Sequence, residues 1–297
     1  MIRLSIRVSG DRAEQVLAEL LELAPAGVEE VALAGGAVEY AVYGAPGELP
    51  ELPDLRALAG GAHVEISTSE IADDWQERWK AFHRPVLIAA GPAPGPIQSE
   101  VASLHVRPPW ERAHGGSEVR EIVIDPGQAF GTGSHPTTRM CLEMMLSAVA
   151  GAHGAPPCMQ LDVGTGSGVL AIAGSLLGLS PVLALDNDPQ SVAAAEQNAR
   201  VNGAQIQVRR FDLRAAALEW LEHPPAPGPL LLTANLLRPL LLMLASSMAC
   251  APHQLIAAGL LAEEADEVSR AFASGPRMRE IQRLQSGEWA ALWLTRD

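Results

Sequence analysis

The chain reads as an α/β protein: a mostly parallel sheet covered by helices, ending in an antiparallel hairpin and preceded by a small α+β layer. Three observations predict this. After residue 159, short apolar runs alternate with helical stretches, the spacing of successive strand-helix units. At Asp162–Gly168 one such run ends in a glycine-rich turn that opens a helix. Over residues 2–68 the periodicities follow the order β-α-β-β-α-β. The length of 297 residues, with 48% hydrophobic and 19% charged side chains, leaves room for two domains and a sizeable core and excludes a mainly disordered chain.

Residues 2–8 alternate polar and apolar as a half-buried strand does. Ala13, Val16, Leu17, Leu20 and Leu21 then share one face of a helix over 11–23. Strand-like runs at 28–33 and 37–43 meet through Gly35-Gly36, followed by a short helix near 54–60 and a strand at 63–68. This order is ferredoxin-like, so 1–69 are expected to form a recognition domain. Trp75, Trp79 and Phe82 stand at i, i+4 and i+7, an aromatic helix face suited to packing. Gly91-Pro-Ala-Pro-Gly-Pro96 is a stiff loop and a strand lies near 103–107, so 70–118 read as a linker helix with connecting strands. A second domain over 119–297 is expected to carry strands at 159–163, 181–186, 206–211, 230–235 and 254–260. A hairpin of 278–284 and 288–295, turning at Gln285-Ser286-Gly287, would add an antiparallel member to its sheet.

Twenty-one cationic against 35 anionic side chains give a net charge of −14. That balance argues against a broad grip on nucleic acid or anionic lipid and favours a basic partner. Cys141, Cys158 and Cys250 are far apart and have no paired ligands beside them, so no metal site is expected and a reducing compartment fits. The N-terminus has no signal-peptide core and no run approaches about 18 uncharged apolar residues, so a cytoplasmic protein is expected.

The turn Gly164-Thr-Gly166-Ser-Gly168 permits close backbone approach to a ligand. Such a loop also serves nicotinamide and flavin enzymes. Counted from Gly164, the dinucleotide fingerprint fails at Val169; counted from Gly166, it is met by Ala171, so that alternative stays open. Asp186 ends the second strand, where a carboxylate accepts both hydroxyls of an adenosine ribose, whereas Asp188 suits a helix cap. Asp212 follows the third strand, where an adenine would lie, and is equally placed to cap a helix. Asp125-Pro-Gly-Gln-Ala-Phe-Gly-Thr-Gly-Ser-His-Pro-Thr-Thr138 reads as a loop folded over a ligand, with His135 anchoring it. Leu232-Thr-Ala-Asn235 puts an amide, donor and acceptor at once, at the fourth strand's end beside the switch point of the sheet.

These segments, together with Asp74-Trp-Gln-Glu-Arg-Trp-Lys80 and Arg107-Pro-Pro-Trp110, closely resemble the methyltransferases of ribosomal protein L-eleven, the PrmA type. The resemblance implies a ferredoxin-like domain gripping the ribosomal protein, a flexible linker, and a Rossmann-like domain binding S-adenosylmethionine. It implies an enzyme, a protein N-methyltransferase acting on lysine or α-amino groups. It places cofactor contacts at Thr138, Gly164, Asp186 and Asn235, with Phe130 and the following glycines enclosing the methionine end; by position in the strand ends, Gly166 and Asp212 join the expected cofactor set and Asn235 is also expected to orient the amine. A basic ribosomal protein substrate, no direct nucleic-acid binding, no membrane and a monomer are the matching expectations. The chain departs from the family at Arg238, where small residues are usual, and in the insertion at 91–96; its N-terminal part matches in pattern more than in residues. The alternatives are an S-adenosylmethionine enzyme acting on another protein, a small molecule or nucleic acid, a non-catalytic binding protein on this scaffold, and an NAD-dependent oxidoreductase.

Overall fold

The computed structural model describes residues 2–9, 16, 29–33, 37–44, 65–70, 83–90, 101, 103–126, 133–215 and 218–296. The chain divides into two units, Met1–Phe82 and His83–Asp297. In the first, β1 (Ile2–Ser9), β2 (Glu29–Ala32), β3 (Ala37–Gly44) and β4 (Glu65–Glu70) form one sheet in the order β2-β3-β1-β4, every neighbour antiparallel. Along β1, Leu4, Ile6 and Val8 are buried while Arg7 and Ser9 are exposed, the period-two pattern that made the strand legible, from which Ser5 departs in being buried as well. Val16 is helical and buried. The rest of the helix expected over 11–23, the helix expected near 54–60, and Trp75, Trp79 and Phe82 lie outside the described residues, so the ferredoxin-like reading of 1–69 remains an expectation.

In the second unit, β5 (Val86–Ala89), β6 (Ser103–Arg107) and β7 (Val119–Val123) form a three-stranded sheet, with β5 antiparallel and β7 parallel to β6. Glycine and proline content suggested that 70–118 connect two domains; from His83 onward these residues belong instead to the second unit. The reason is burial. Leu104, Val106, Ile122 and Ile124 are at most 1% exposed and share an apolar cluster with α1 (Pro136–Val149).

The main sheet runs β10 (Gln207–Arg210), β9 (Val182–Asp186), β8 (Met159–Val163), β11 (Leu230–Asn235), β12 (Gln254–Leu261), β14 (Trp289–Arg296), β13 (Met278–Ser286). Only β14 runs against its neighbours. The chain enters at β8, moves outward to β9 and β10, and returns to β11 on the other side of β8. Strand order therefore reverses between β8 and β11, which opens a crevice at their carboxyl ends. All of β8 and the first five residues of β11 are buried, as central strands covered on both faces must be.

α1, α2 (Val169–Leu176) and α3 (Pro189–Asn202) contribute Met140, Met145, Ile172 and Ala199 to one core cluster, where they join Trp293 of β14. A single turn, α4 (Glu219–Glu222), precedes β11. α5 (Arg238–Ser247) and α6 (Ala265–Ser274) bring Leu241, Leu244, Val268 and Phe272 to a second cluster. Proline opens α1 and α3 and stands second in α5, first-turn positions where its missing N–H costs nothing. Asp188 caps α3 by accepting the Gln190 and Ser191 N–H groups at 3.0 and 3.1 Å. Those bonds, the Gln190 one first, hold its carboxyl below the usual range.

Candidate functional site

The carboxyl ends of β8, β9 and β11 surround a cleft of about 220 Å³ whose lining includes Gly164, Gly166, Asp186, Phe211, Asp212 and Asn235. The turn after β8 folds back because Gly164 N and Thr165 N both donate to Leu185 O, at 2.8 and 2.9 Å. Gly164 has φ +76°, and a Cβ there would collide with Leu236 Cδ2, so glycine answers both the backbone and the close approach. Asp186 Oδ2 accepts Gly166 N–H at 2.8 Å and Oδ1 accepts Asp188 N–H at 3.0 Å. Two backbone donors fix the carboxylate against the glycine turn and leave it capacity for about two more, given four acceptor positions. Asp212 lines the same cleft and accepts Arg214 N–H at 2.9 Å, capping the turn after β10.

Asn235 joins this cleft to the segment upstream of the main sheet. Its Nδ2 donates to Oγ1 of Thr138, a fully buried residue in the first turn of α1, at 3.3 Å. Asn235 Oδ1 is buried and has no hydrogen-bond partner among the described residues. A buried acceptor left bare costs ~1–3 kcal/mol, so an N–H donor arriving here is favoured beyond its ordinary worth. Phe130 lies outside the described residues. His135 is the N-cap of α1: its Nδ1 lies 2.7 Å from Thr137 Oγ1, and its ring packs edge-on against Trp289 with centroids 4.9 Å apart. Burial holds His135 below its usual pKa, which suits a neutral capping acceptor.

Further residues support the site without having been singled out from sequence. Asp162 on β8 is fully buried; its Oδ2 accepts from Thr165 Oγ1 and its Oδ1 from Thr233 Oγ1, both at 2.6 Å, and Gln160 Nε2 donates to Thr233 Oγ1 at 2.9 Å. This chain ties the glycine turn to β11, where Thr233 stands opposite Asp162 in register. The signal was present: polar residues two apart inside an otherwise apolar strand share one face. Arg238, the residue at which the chain departs from the family, pairs with Glu264 at 3.2 Å and Glu267 at 2.8 Å. Its charge is thus matched. Among the described residues no cluster of potential metal ligands occurs, and no helix is long and apolar enough to cross a membrane.

A glycine turn after the first strand of the main sheet, an acid ending the second, an amide ending the fourth, and a single antiparallel strand near the far edge define a Rossmann-like class I methyltransferase domain. The comparisons with known proteins are specific. A family profile described as ribosomal protein L11 methyltransferase (PrmA) matches residues 51–297, and the chain belongs to this family. It is 37% identical over 238 residues to the ribosomal protein L11 methyltransferase of Heliobacterium modesticaldum, a match covering 78% of this chain and 66% of that one. It is 36% identical over 249 residues to the one from Chloroflexus aurantiacus, covering 76% of this chain and 70% of that one. The match thus spans slightly less than two thirds of the first relative's length. A crystal structure of a ribosomal protein L11 methylase from Lactobacillus delbrueckii subsp. bulgaricus aligns with a TM-score of 0.54 and 30% identity, over 65% of this chain and 95% of that one.

Proposed function

We propose that this protein transfers methyl groups from S-adenosylmethionine to lysine or α-amino nitrogens of ribosomal protein L11, the substrate in the names of its relatives. The observation that carries this reading is the buried Asn235 Oδ1, without a hydrogen-bond partner among the described residues, at the rim of a cleft that also holds Asp186 and the glycine turn.

The residues fit the cofactor. Asp186 retains acceptor capacity for the ribose hydroxyls, the Gly164–Gly166 backbone admits close approach, Phe211 and Asp212 lie where the adenine would be held, and Thr138 and Asn235 border the methionine end. Phe130 is assigned to that end by the family resemblance. When bound, S-adenosylmethionine supplies a methyl group on a sulfonium, ready for in-line displacement.

The chain's own task is alignment of a neutral amine. A lysine with its usual pKa of ~10.4 is only about 0.1% neutral at pH 7.4, a penalty of ~4 kcal/mol. Asn235 Oδ1 accepts an amine N–H without a negative charge, so it orients the nitrogen without holding it as an ammonium ion. The proton is lost to solvent before transfer. The net charge of −14 draws a basic ribosomal protein and disfavours direct nucleic-acid binding. Residues 1–69 are assigned to gripping that substrate, and the protein to the cytoplasm as a monomer.

Calorimetry with S-adenosylmethionine and with NAD tests the cofactor, and mass spectrometry of L11 incubated with enzyme and labelled cofactor tests the substrate. Binding and mass gains of 14 Da per methyl group, about the mass of one CH₂, are expected. Binding of NAD with no response to S-adenosylmethionine refutes the reading. Asp186→Ala should weaken cofactor affinity ten- to a hundredfold, roughly the loss of charge-assisted bonds; unchanged affinity would mean the ribose is misplaced.

A further inference from the structure

Asn198 is not among the residues lining the cleft, yet it bonds both to the glycine turn that lines it and to Asp125, upstream of Thr138. It lies on α3 and is 3% exposed. Its Nδ2 donates to Ser167 O in the glycine turn at 2.9 Å, and its Oδ1 accepts Asp125 N–H at 3.2 Å. One helical turn later, Asn202 Oδ1 accepts Val123 N–H and Asn202 Nδ2 donates to Val123 O, each at 2.7 Å. Residues at i and i+4 share a helix face, so the two amides fasten residues 123–125 to α3.

Their roles differ. Asn202 reaches the end of β7 and, through a bond from Nδ2 to Asn198 O at 2.7 Å, its own helix. Asn198 bridges from residue 125 to the glycine turn. Asp125 begins the stretch whose far end, Thr138, receives the hydrogen bond from Asn235. That stretch is therefore tied at one end to the glycine turn and at the other to the amide at the end of β11. An amide donates and accepts at the same time; a carboxylate at 198 could not donate to Ser167 O, and an aliphatic side chain could do neither.

We infer that Asn198 is a positioning residue for the cofactor, holding the glycine turn and the start of the 125–138 stretch in register. The inference rests on the reading of the cleft as an S-adenosylmethionine site.

The test is S-adenosylmethionine binding by calorimetry on the full-length wild type, Asn198→Asp and Asn202→Ala, with melting temperatures measured alongside. Asn198→Asp keeps the acceptor for Asp125 N–H but opposes the Ser167 carbonyl with a carboxylate. Its dissociation constant should rise about tenfold, the scale of one buried hydrogen bond lost. Asn202→Ala should lower the melting temperature and leave the dissociation constant within about twofold. A merely structural Asn198 would lower the melting temperature without moving the affinity of the folded protein, and that result overturns the inference.

If Asn198→Asp does not fold, hydrogen exchange on the wild type decides. Added S-adenosylmethionine should slow exchange at the Val123–Asp125 amides together with Gly164–Gly168, and slowing in the glycine turn alone overturns the inference. A wild type that binds no S-adenosylmethionine refutes the functional reading and this inference with it; a binding wild type beside an unaffected Asn198→Asp refutes the inference alone.

Discussion

Burial pushes the Asp162 carboxyl from 3.8 to about 6, against the hydrogen bonds from Thr165 and Thr233 that favour its ionised form. Below pH 3.8 the group is protonated in folded and unfolded chains alike. Between the two values the folded chain holds the proton that the unfolded chain has lost, so stability falls as pH rises and levels off above about 7. The full rise in pKa is worth ~3 kcal/mol, of which ~2 kcal/mol is lost between pH 4.5 and 7.5. Asp162→Asn abolishes this titration. It also costs ~1 kcal/mol, because the two threonine hydroxyls donate to different carboxylate oxygens and an amide replaces one of these with an NH2 that cannot accept. The assay is urea unfolding of wild type and Asp162→Asn at pH 4.5, 5.5, 6.5 and 7.5. The variant should gain ~2 kcal/mol relative to the wild type across that range, and only this change with pH is diagnostic. A stability difference constant within about 0.5 kcal/mol, near the error of such extrapolations, would refute the argument that burial of this carboxylate outweighs its two threonine hydrogen bonds.

Asn235→Ala should lower turnover about a hundredfold or more while changing cofactor affinity by less than about tenfold, since a contact that aligns reacting atoms acts on the transition state; a folded variant with wild-type turnover would reduce Asn235 to a turn residue. Gly259 has φ +86°, and a Cβ there would meet Leu236 O and Asn235 Oδ1 at 2.5 and 3.0 Å. Gly259→Ala should therefore destabilise by ~1–2 kcal/mol and slow methyl transfer as well, checked by thermal melts and turnover. Without that slowing, Asn235 is not held where the mechanism needs it. A chain beginning at His83, the start of the second unit, should bind S-adenosylmethionine within about threefold of the full chain and lose most activity on L11, because the tethered effective concentration of the target is gone. Undiminished methylation of L11 by that folded fragment would move substrate selection to the loops around Arg238.

The parallel strands of the second unit were legible because central strands must be apolar along their length, and Met159–Val163 and Leu230–Asn235 match their expected bounds. The glycine turn and Asp186 were legible because close backbone approach and a strand-end carboxylate leave local marks at fixed spacing. Local sequence misplaced 83–118, since prolines and glycines announce loops but do not reveal that Leu104, Val106 and Ile122 are buried with α1. What only the tertiary structure decided are contacts between residues distant in sequence: Thr138 with Asn235, Asp162 with Thr233, and Asn198 with Asp125. Each is a polar pair whose partners fall 71 to 97 residues apart, and hydrogen-bond complementarity at that distance has no periodicity to betray it. Strand order alone brings the amide of β11 next to the turn of β8, and that adjacency turns a set of legible motifs into one site.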